Sequence, residues 1–184
     1  LGECLRAPGA KPFLACCLLM QMSHGAYYTF FTPYLESLGF ARASIGMLWG
    51  LGVFSEILLF LVMHRILARF DPRTLIVGCF VLTALRWFAL GAWADHAEVV
   101  IVSQILHAVS YGAFHAVSMQ LILRYFGPVP GQGQALYAAV SFGLGGAIGS
   151  LTAGYVWEGV SPSAAFIVAG LIALAATWPA RRTA

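Results

Sequence analysis

Six apolar stretches, each near the length that crosses a bilayer, make up most of this chain, and nearly every charge lies outside them. A helix needs about 20 apolar residues to traverse the hydrocarbon core, and in that core every backbone polar group must find its partner inside the protein. The stretches are Phe13–Leu35, Ile45–Val62, Thr74–Ala94, Val99–Leu123, Ala135–Val156 and Ala164–Trp178. Polar or helix-breaking connectors separate them at Glu36–Ser44, His64–Arg73, Asp95–Glu98, Gly127–Gly133 and Glu158–Pro162. These connectors are short, so sequence neighbours are expected to run antiparallel. The reading is an all-α membrane protein: one bundle of six transmembrane helices over residues 1–184. Only 9% of the chain is charged, against about 25% in a soluble domain, which argues against a soluble fold.

The basic residues choose an orientation. Arg6 and Lys11 precede the first stretch, Arg65, Arg69 and Arg73 follow the second, Arg124 follows the fourth, and Arg181 and Arg182 follow the last. Only Arg42 falls in a loop on the other side, where Glu36, Asp95, Glu98 and Glu158 gather. Lys and Arg favour cytoplasmic loops, so both termini are expected in the cytoplasm, with the chain in the cytoplasmic (inner) membrane and the lipid bilayer as its surroundings. The net charge of +3 follows from this asymmetry and does not point to nucleic acid. Cys4, Cys16, Cys17 and Cys79 lack the spacing of a zinc site or a disulfide framework. The sequence opens on Leu1 without a basic-then-apolar leader, and is expected to be a piece of a longer chain.

Polar residues recur inside the apolar stretches. Gln21, His24 and Tyr28 reappear as Gln104, His107 and Tyr111 at one constant offset (104 − 21 = 107 − 24 = 111 − 28 = 83). That offset is about one three-helix unit, as a 3+3 inverted duplication leaves behind. At about 100° per residue, Gln21, His24, Tyr28 and Thr32 fall on one stripe, and so do Gln104, His107, Tyr111, His115 and Ser118. Such stripes avoid lipid and face either a cavity or a polar partner helix, where they act as interhelical glue.

Two full charges also lie within the stretches. At about 1.5 Å per residue, Glu56 sits roughly 17 Å from the outer end of its helix, and Arg86 and His107 roughly 12 Å from theirs. An ionised group at the bilayer centre costs about 2.5–3.5 kcal/mol on insertion scales. Two readings follow: a structural ion pair, or a working pair. Burial favours the neutral acid and a nearby cation favours the carboxylate, so an anionic solute on Arg86 would let Glu56 take up a proton. His24 and His107 are further candidates for proton relay, while His64 and His96 read as solvated loop residues. No metal site and no cofactor are expected, since no histidine pair has ligand spacing. Gly145 and Gly149 form one close-packing pair and Gly46 and Gly50 another, serving contacts inside this bundle or with a second one.

Gln21–Tyr34 (QMSHGAYYTFFTPY), Gly52–Leu59 (GVFSEILL), Leu85–Phe88 (LRWF) and Gln104–His115 (QILHAVSYGAFH) together resemble the C-terminal six-helix half of a major facilitator superfamily carrier. The branch is the 3-phenylpropionate permease-like one, related to nucleoside/proton symporters and lactose permease. Glu56, Arg86 and His107 match in order and approximate spacing the glutamate, arginine and histidine of the lactose carrier's corresponding half. A second carboxylate one turn after that histidine is replaced here by Ser110, which leaves Glu56 as the candidate proton carrier. The resemblance implies a secondary active transporter of twelve helices, with the N-terminal six-helix half as the missing partner. The expected activity is proton-coupled symport of a small organic solute, with an aromatic carboxylate as the favoured class. Glu56, His107 and His24 are the expected proton-coupling residues. Arg86, Gln21, Tyr28, Gln104, Tyr111, His115 and Trp49 are the expected solute-binding residues. Efflux of amphipathic compounds and a non-transporting scaffold are the alternatives. A membrane-embedded enzyme is disfavoured, since no histidine boxes or serine–histidine–acid set is present.

Overall fold

The computed structural model describes residues 2–183, which after a short turn at Cys4–Arg6 form six long helices. These are α1 (Ala10–Ser37), α2 (Arg42–Arg69), α3 (Pro72–Trp93), α4 (Ala97–Phe126), α5 (Pro130–Gly159) and α6 (Pro162–Ala180). Five of them, α2 to α6, are long and apolar enough to cross a membrane. The first is as long as α2, but its middle carries Gln21, Ser23, His24, Tyr27, Tyr28, Thr29 and Thr32, which dilute its hydropathy. Most of those groups are turned inward: Gln21, Ser23, His24 and Tyr27 are all buried.

The helices begin where the chemistry sets them. Asp71 caps α3 by accepting the Thr74 N–H at 3.2 Å, and Ser161 caps α6 by accepting the Ala164 N–H at 3.1 Å. Each is followed by a proline at the first helical position, where its missing N–H costs nothing. Pro130 does the same for α5, so the connector expected at Gly127–Gly133 shrinks to residues 127–129. The second helix likewise outruns its apolar stretch and carries His64, Arg65 and Arg69 on its last turns. Straight-chain basic residues are good helix formers, and they suit the C-terminal end of the dipole.

Packing runs mainly α1 on α5 and α6, α3 on α6, and α2 on α4. The close approach of α1 to α5 is made by glycine. A Cβ on Gly25 would stand 2.2 Å from the Gly149 carbonyl carbon, and one on Gly149 would stand 2.4 Å from Met22 O. Gly145 meets Leu18 O in the same way, so the Gly145/Gly149 pair serves a contact inside this bundle. A Cβ on Gly46 or Gly50 would meet nothing within 4 Å beyond its own helix backbone among the described residues, and both face outward. Helices α2 and α5 leave most of their apolar surface uncovered, including Met47, Phe54, Leu61, Leu151 and Tyr155.

Two helices contain wide turns. The backbone follows a π-helical course at Ala108–Gly112 in α4 and at Ala139–Gly145 in α5. Within the first, the Ser110 hydroxyl donates back to Leu106 O at 2.8 Å.

Candidate functional site

The stripes of α1 and α4 meet at mid-helix and cross-link. Tyr27 OH donates to Gln104 Oε1 at 2.8 Å, and Tyr111 OH donates to Gln21 Oε1 at 3.0 Å. Each glutamine of the repeated motif is thus held by a tyrosine of the opposite helix. Around these bonds the rings pack closely. His24 lies 4.6 Å from Tyr111 and 4.9 Å from Trp87 between ring centroids, and His107 stacks on Tyr111 at 5.3 Å with planes 12° apart.

A cavity of about 150 Å³ opens beside this cluster, lined by Tyr27, Tyr28, Trp49, Glu56, His107 and Tyr111 along with Gly52 and Val53. Gly52 and Gly112 lie where α2 approaches α4, and a Cβ on either would press on side-chain atoms of the facing helix. A Cβ on Gly52 would come 3.2 Å from Gln104 Oε1, and one on Gly112 would come 3.5 Å from Glu56 Cγ. Glu56 supplies the only carboxylate of the lining, and its Oε1 lies 3.5 Å from His107 Nε2. Trp49 is oriented by a bond from its Nε1 to Thr32 Oγ1 at 3.1 Å.

Arg86 occupies a different position from the one its charge suggests. Among the described residues it forms no ion pair with Glu56 or with any other carboxylate. Its Nε donates to Ser103 O and its Nη1 to Ser110 Oγ, both at 2.9 Å, and Nη2 has no hydrogen-bond partner among the described residues. The guanidinium lies 4.4 Å from the Trp87 ring and 5.6 Å from the Tyr27 ring. The Tyr27 ring borders the cavity, and Arg86 itself is not in the lining. One side chain therefore grips α4 on both sides of His107, at a backbone carbonyl before it and at a hydroxyl inside the wide turn after it.

The remaining expected residues divide. Tyr28 and Trp49 reach the cavity, whereas Gln21, Gln104 and His24 stand behind it as its frame. His24 is fully buried, and its Nδ1 donates to Met20 O at 2.9 Å. His115 pairs with the Tyr137 hydroxyl at 3.1 Å, away from the cavity. Tyr27 and Trp87 belong to the cluster although sequence reasoning passed them over. Tyr27 is one residue off the α1 stripe, and the aromatic pair Tyr27–Tyr28 was the available signal.

Three larger hollows, of about 520, 500 and 310 Å³, are mostly apolar grooves between α2 and α4, between α3 and α4 (where Arg86 and Glu98 join the lining), and where α2, α3 and α4 meet. None of them contains any residue of the α1 stripe.

The model of the MFS_1 like family matches residues 1–168. The chain is 31% identical over 164 residues to the "Probable 3-phenylpropionic acid transporter" of Escherichia coli, covering 89% of this chain and 43% of that protein. It is 24% identical over 148 residues to the "Uncharacterized transporter YwbF" of Bacillus subtilis, covering 80% of this chain and 37% of the relative. The chain thus spans about two fifths of the length of the curated relatives it matches.

Proposed function

Because this chain belongs to the MFS_1 like family of membrane transporters, we propose that it is the C-terminal half of a proton-coupled secondary carrier, a multi-pass protein of the cytoplasmic (inner) membrane. In this reading α1 is the sixth span, shielded by its neighbours, and both termini are cytoplasmic. The partner is a preceding six-helix half, and it covers the bare faces of α2 and α5. Similarity to a relative carrying the 3-phenylpropionic acid name favours a small aromatic carboxylate as the solute.

The packing pattern supports a 3+3 repeat. Exchanging α1–α3 with α4–α6 turns the α1–α5 contact into α4–α2 and the α1–α6 contact into α4–α3, and leaves α3–α6 as its own counterpart. These contacts are all present, whereas the α5–α6 contact has no α2–α3 counterpart of similar extent. Inverted repeats of this kind put the solute site near the bilayer midplane, between the halves.

The observation that carries the functional reading is the meeting of Glu56 and His107 at 3.5 Å on the wall of an aromatic cavity. A carboxylate beside an imidazole can take up and release a proton, and a carboxylate in a membrane cavity is a functional group by default. Glu56 is the proton carrier, His107 its partner, and His24 part of the frame that holds His107. Glu56→Gln keeps solute exchange across proteoliposomes and loses uphill uptake driven by a pH gradient. Unchanged uphill uptake in that variant would refute the coupling role.

A further inference from the structure

Arg86 is 1% exposed and forms no ion pair among the described residues. A buried charge without a counter-ion is unfavourable unless its donors are used, so the groups it holds reveal its task. Nε holds Ser103 O and Nη1 holds Ser110 Oγ, both on α4 at 2.9 Å. The Ser110 hydroxyl gives its own hydrogen to Leu106 O at 2.8 Å, which leaves a lone pair for the guanidinium. The two anchors stand about one turn before His107 and about one turn after it. The rings of Trp87 and Tyr27 lie 4.4 and 5.6 Å from the guanidinium and favour its charge.

His107 needs such a clamp. A working imidazole is set in place by the hydrogen bond that its second nitrogen makes. Here Nε2 faces Glu56 at 3.5 Å, and Nδ1 has no hydrogen-bond partner among the described residues. Stacking on Tyr111 sets the tilt of the ring, but its distance from Glu56 is left to the course of α4. Directly after His107 that course is the wide turn at Ala108–Gly112, a winding that helices adopt rarely and most often at functional sites. Arg86 reaches from the carbonyl ahead of His107 into this turn. At the far end of the turn a Cβ on Gly112 would come 3.5 Å from Glu56 Cγ, so a shift of the turn moves α4 against Glu56 itself.

We propose that Arg86 is a positioning residue for the Glu56–His107 pair and not the countercharge of the solute. Its fork fixes the α4 backbone ahead of His107 and the wide turn behind it, and thereby fixes how far His107 stands from Glu56. The guanidinium is absent from the lining of the Glu56 cavity, and its remaining nitrogen, Nη2, is buried. A lysine cannot replace it, because a point charge lacks the two-pronged geometry. This rests on the carrier reading above, in which the pair handles the proton. The other titratable groups facing the pair are His24, Tyr27 and Tyr28 from α1 and Tyr111 from α4.

The test uses the carrier in its full natural length, in proteoliposomes, with 3-phenylpropionate as the probe. It reads the dissociation constant of the probe and the rate of pH-gradient-driven uptake as a function of pH. Ser110→Ala removes one anchor and touches neither a charge nor the cavity lining. Arg86→Lys keeps the charge and loses the fork. Both should slow uptake at saturating probe about tenfold or more, the scale of a misplaced reacting group, and displace the pH midpoint in the same direction. Both should hold the dissociation constant within about twofold of wild type, as when an interaction outside solute binding is lost. Ser110→Thr keeps the hydroxyl and should restore rate and midpoint together. The double variant should be no slower than the slower single one, because both break the same clamp.

A dissociation constant raised about tenfold or more in Arg86→Lys would overturn the proposal, since Arg86 would then be reading the solute's charge. So would a wild-type pH profile in Ser110→Ala. Loss of stability alone lowers the amount of active carrier and leaves the midpoint in place, so the midpoint separates positioning from folding. If Arg86→Lys does not fold, Ser110→Ala and Ser110→Thr decide. Failure here is separable from failure of the coupling reading. A carrier whose uphill uptake is lost in Glu56→Gln but unmoved in Ser110→Ala keeps the coupling and loses the clamp. One whose uphill uptake survives Glu56→Gln loses the coupling, and the dissociation constant of Arg86→Lys still decides whether Arg86 meets the solute.

Discussion

Replacing Gly25 by alanine adds one methyl where α1 crosses α5, and the geometry sets the consequence. The new carbon would lie 2.2 Å from Gly149 C, 2.5 Å from Ser150 N and 2.6 Å from Gly149 O. Carbon contacts settle at about 3.5–4.0 Å, so the helices must part by roughly 1.3 Å or more at that point. The obstructing atoms are backbone on both sides, and no rotamer change relieves them. Overpacking in a tight core costs about 1–3 kcal/mol, and this site belongs at the upper end. Alanine returns about 1 kcal/mol through its better helix propensity. The net loss is then about 2 kcal/mol.

Gly50 is the matched control. Beyond its own helix backbone, no atom of the described residues lies within 4 Å of its would-be Cβ, so Gly50→Ala keeps the propensity gain alone and stabilises by up to about 1 kcal/mol. Cys16 and Cys17 are fully buried on α1, and their labelling by a thiol-reactive dye during a thermal ramp in detergent reports loss of that helix's packing. Gly25→Ala should melt below wild type and Gly50→Ala at or above it. A Gly25→Ala variant that melts with wild type, or a Gly50→Ala variant that is the more damaged of the two, would refute the crossing geometry.

Two further outcomes are expected. Ser110→Ala strands Arg86 Nη1 beside an Nη2 that already lacks a protein partner; a buried charged donor without its acceptor costs about 1.5–3 kcal/mol, so the melting temperature should fall, and Ser110→Thr should restore it. In the connector between α3 and α4, the hydrogen bond from His96 holds the Asp95 carboxyl below its ordinary value of 3.8. A lowered carboxyl favours the folded state above that value, and the benefit is lost as pH falls through the folded value. His96→Ala should therefore move the Asp95 titration upward, followed through the carboxyl carbon by NMR, and an unmoved midpoint would remove the His96 bond as its cause.

The helices α2 to α6 were legible because apolar length is a one-dimensional property, and residue order displays it directly. Their ends were less so. Arg65 and Arg69 look like loop to a hydropathy reading, yet they extend α2, and Pro130 looks like a breaker but starts α5. The repeated Gln–His–Tyr motif marked the inward stripes of α1 and α4, because 3.6-residue periodicity puts those side chains on one face; that the two stripes bond to each other is visible only in the structure. The partner of Arg86 was not legible. Charge logic offered Glu56, whereas the guanidinium chose a main-chain carbonyl and a serine hydroxyl. Neither carries a charge, and the carbonyl has no sequence signature at all. Glu56 instead faces His107, a contact set by the close approach of α2 to α4 at Gly52 and Gly112.

The broad turn at Ala108–Gly112 holds one residue more than the α-helical turn it replaces. Were the same residues wound instead as a regular α-helix, everything beyond would swing by about 100°. Tyr111 would leave Gln21, His115 would leave Tyr137, and the arginine's second anchor would turn away. The wide course of the backbone is what keeps the upper and lower halves of α4 in phase with two different sets of neighbours, so the winding of this helix, and not only its composition, is under constraint.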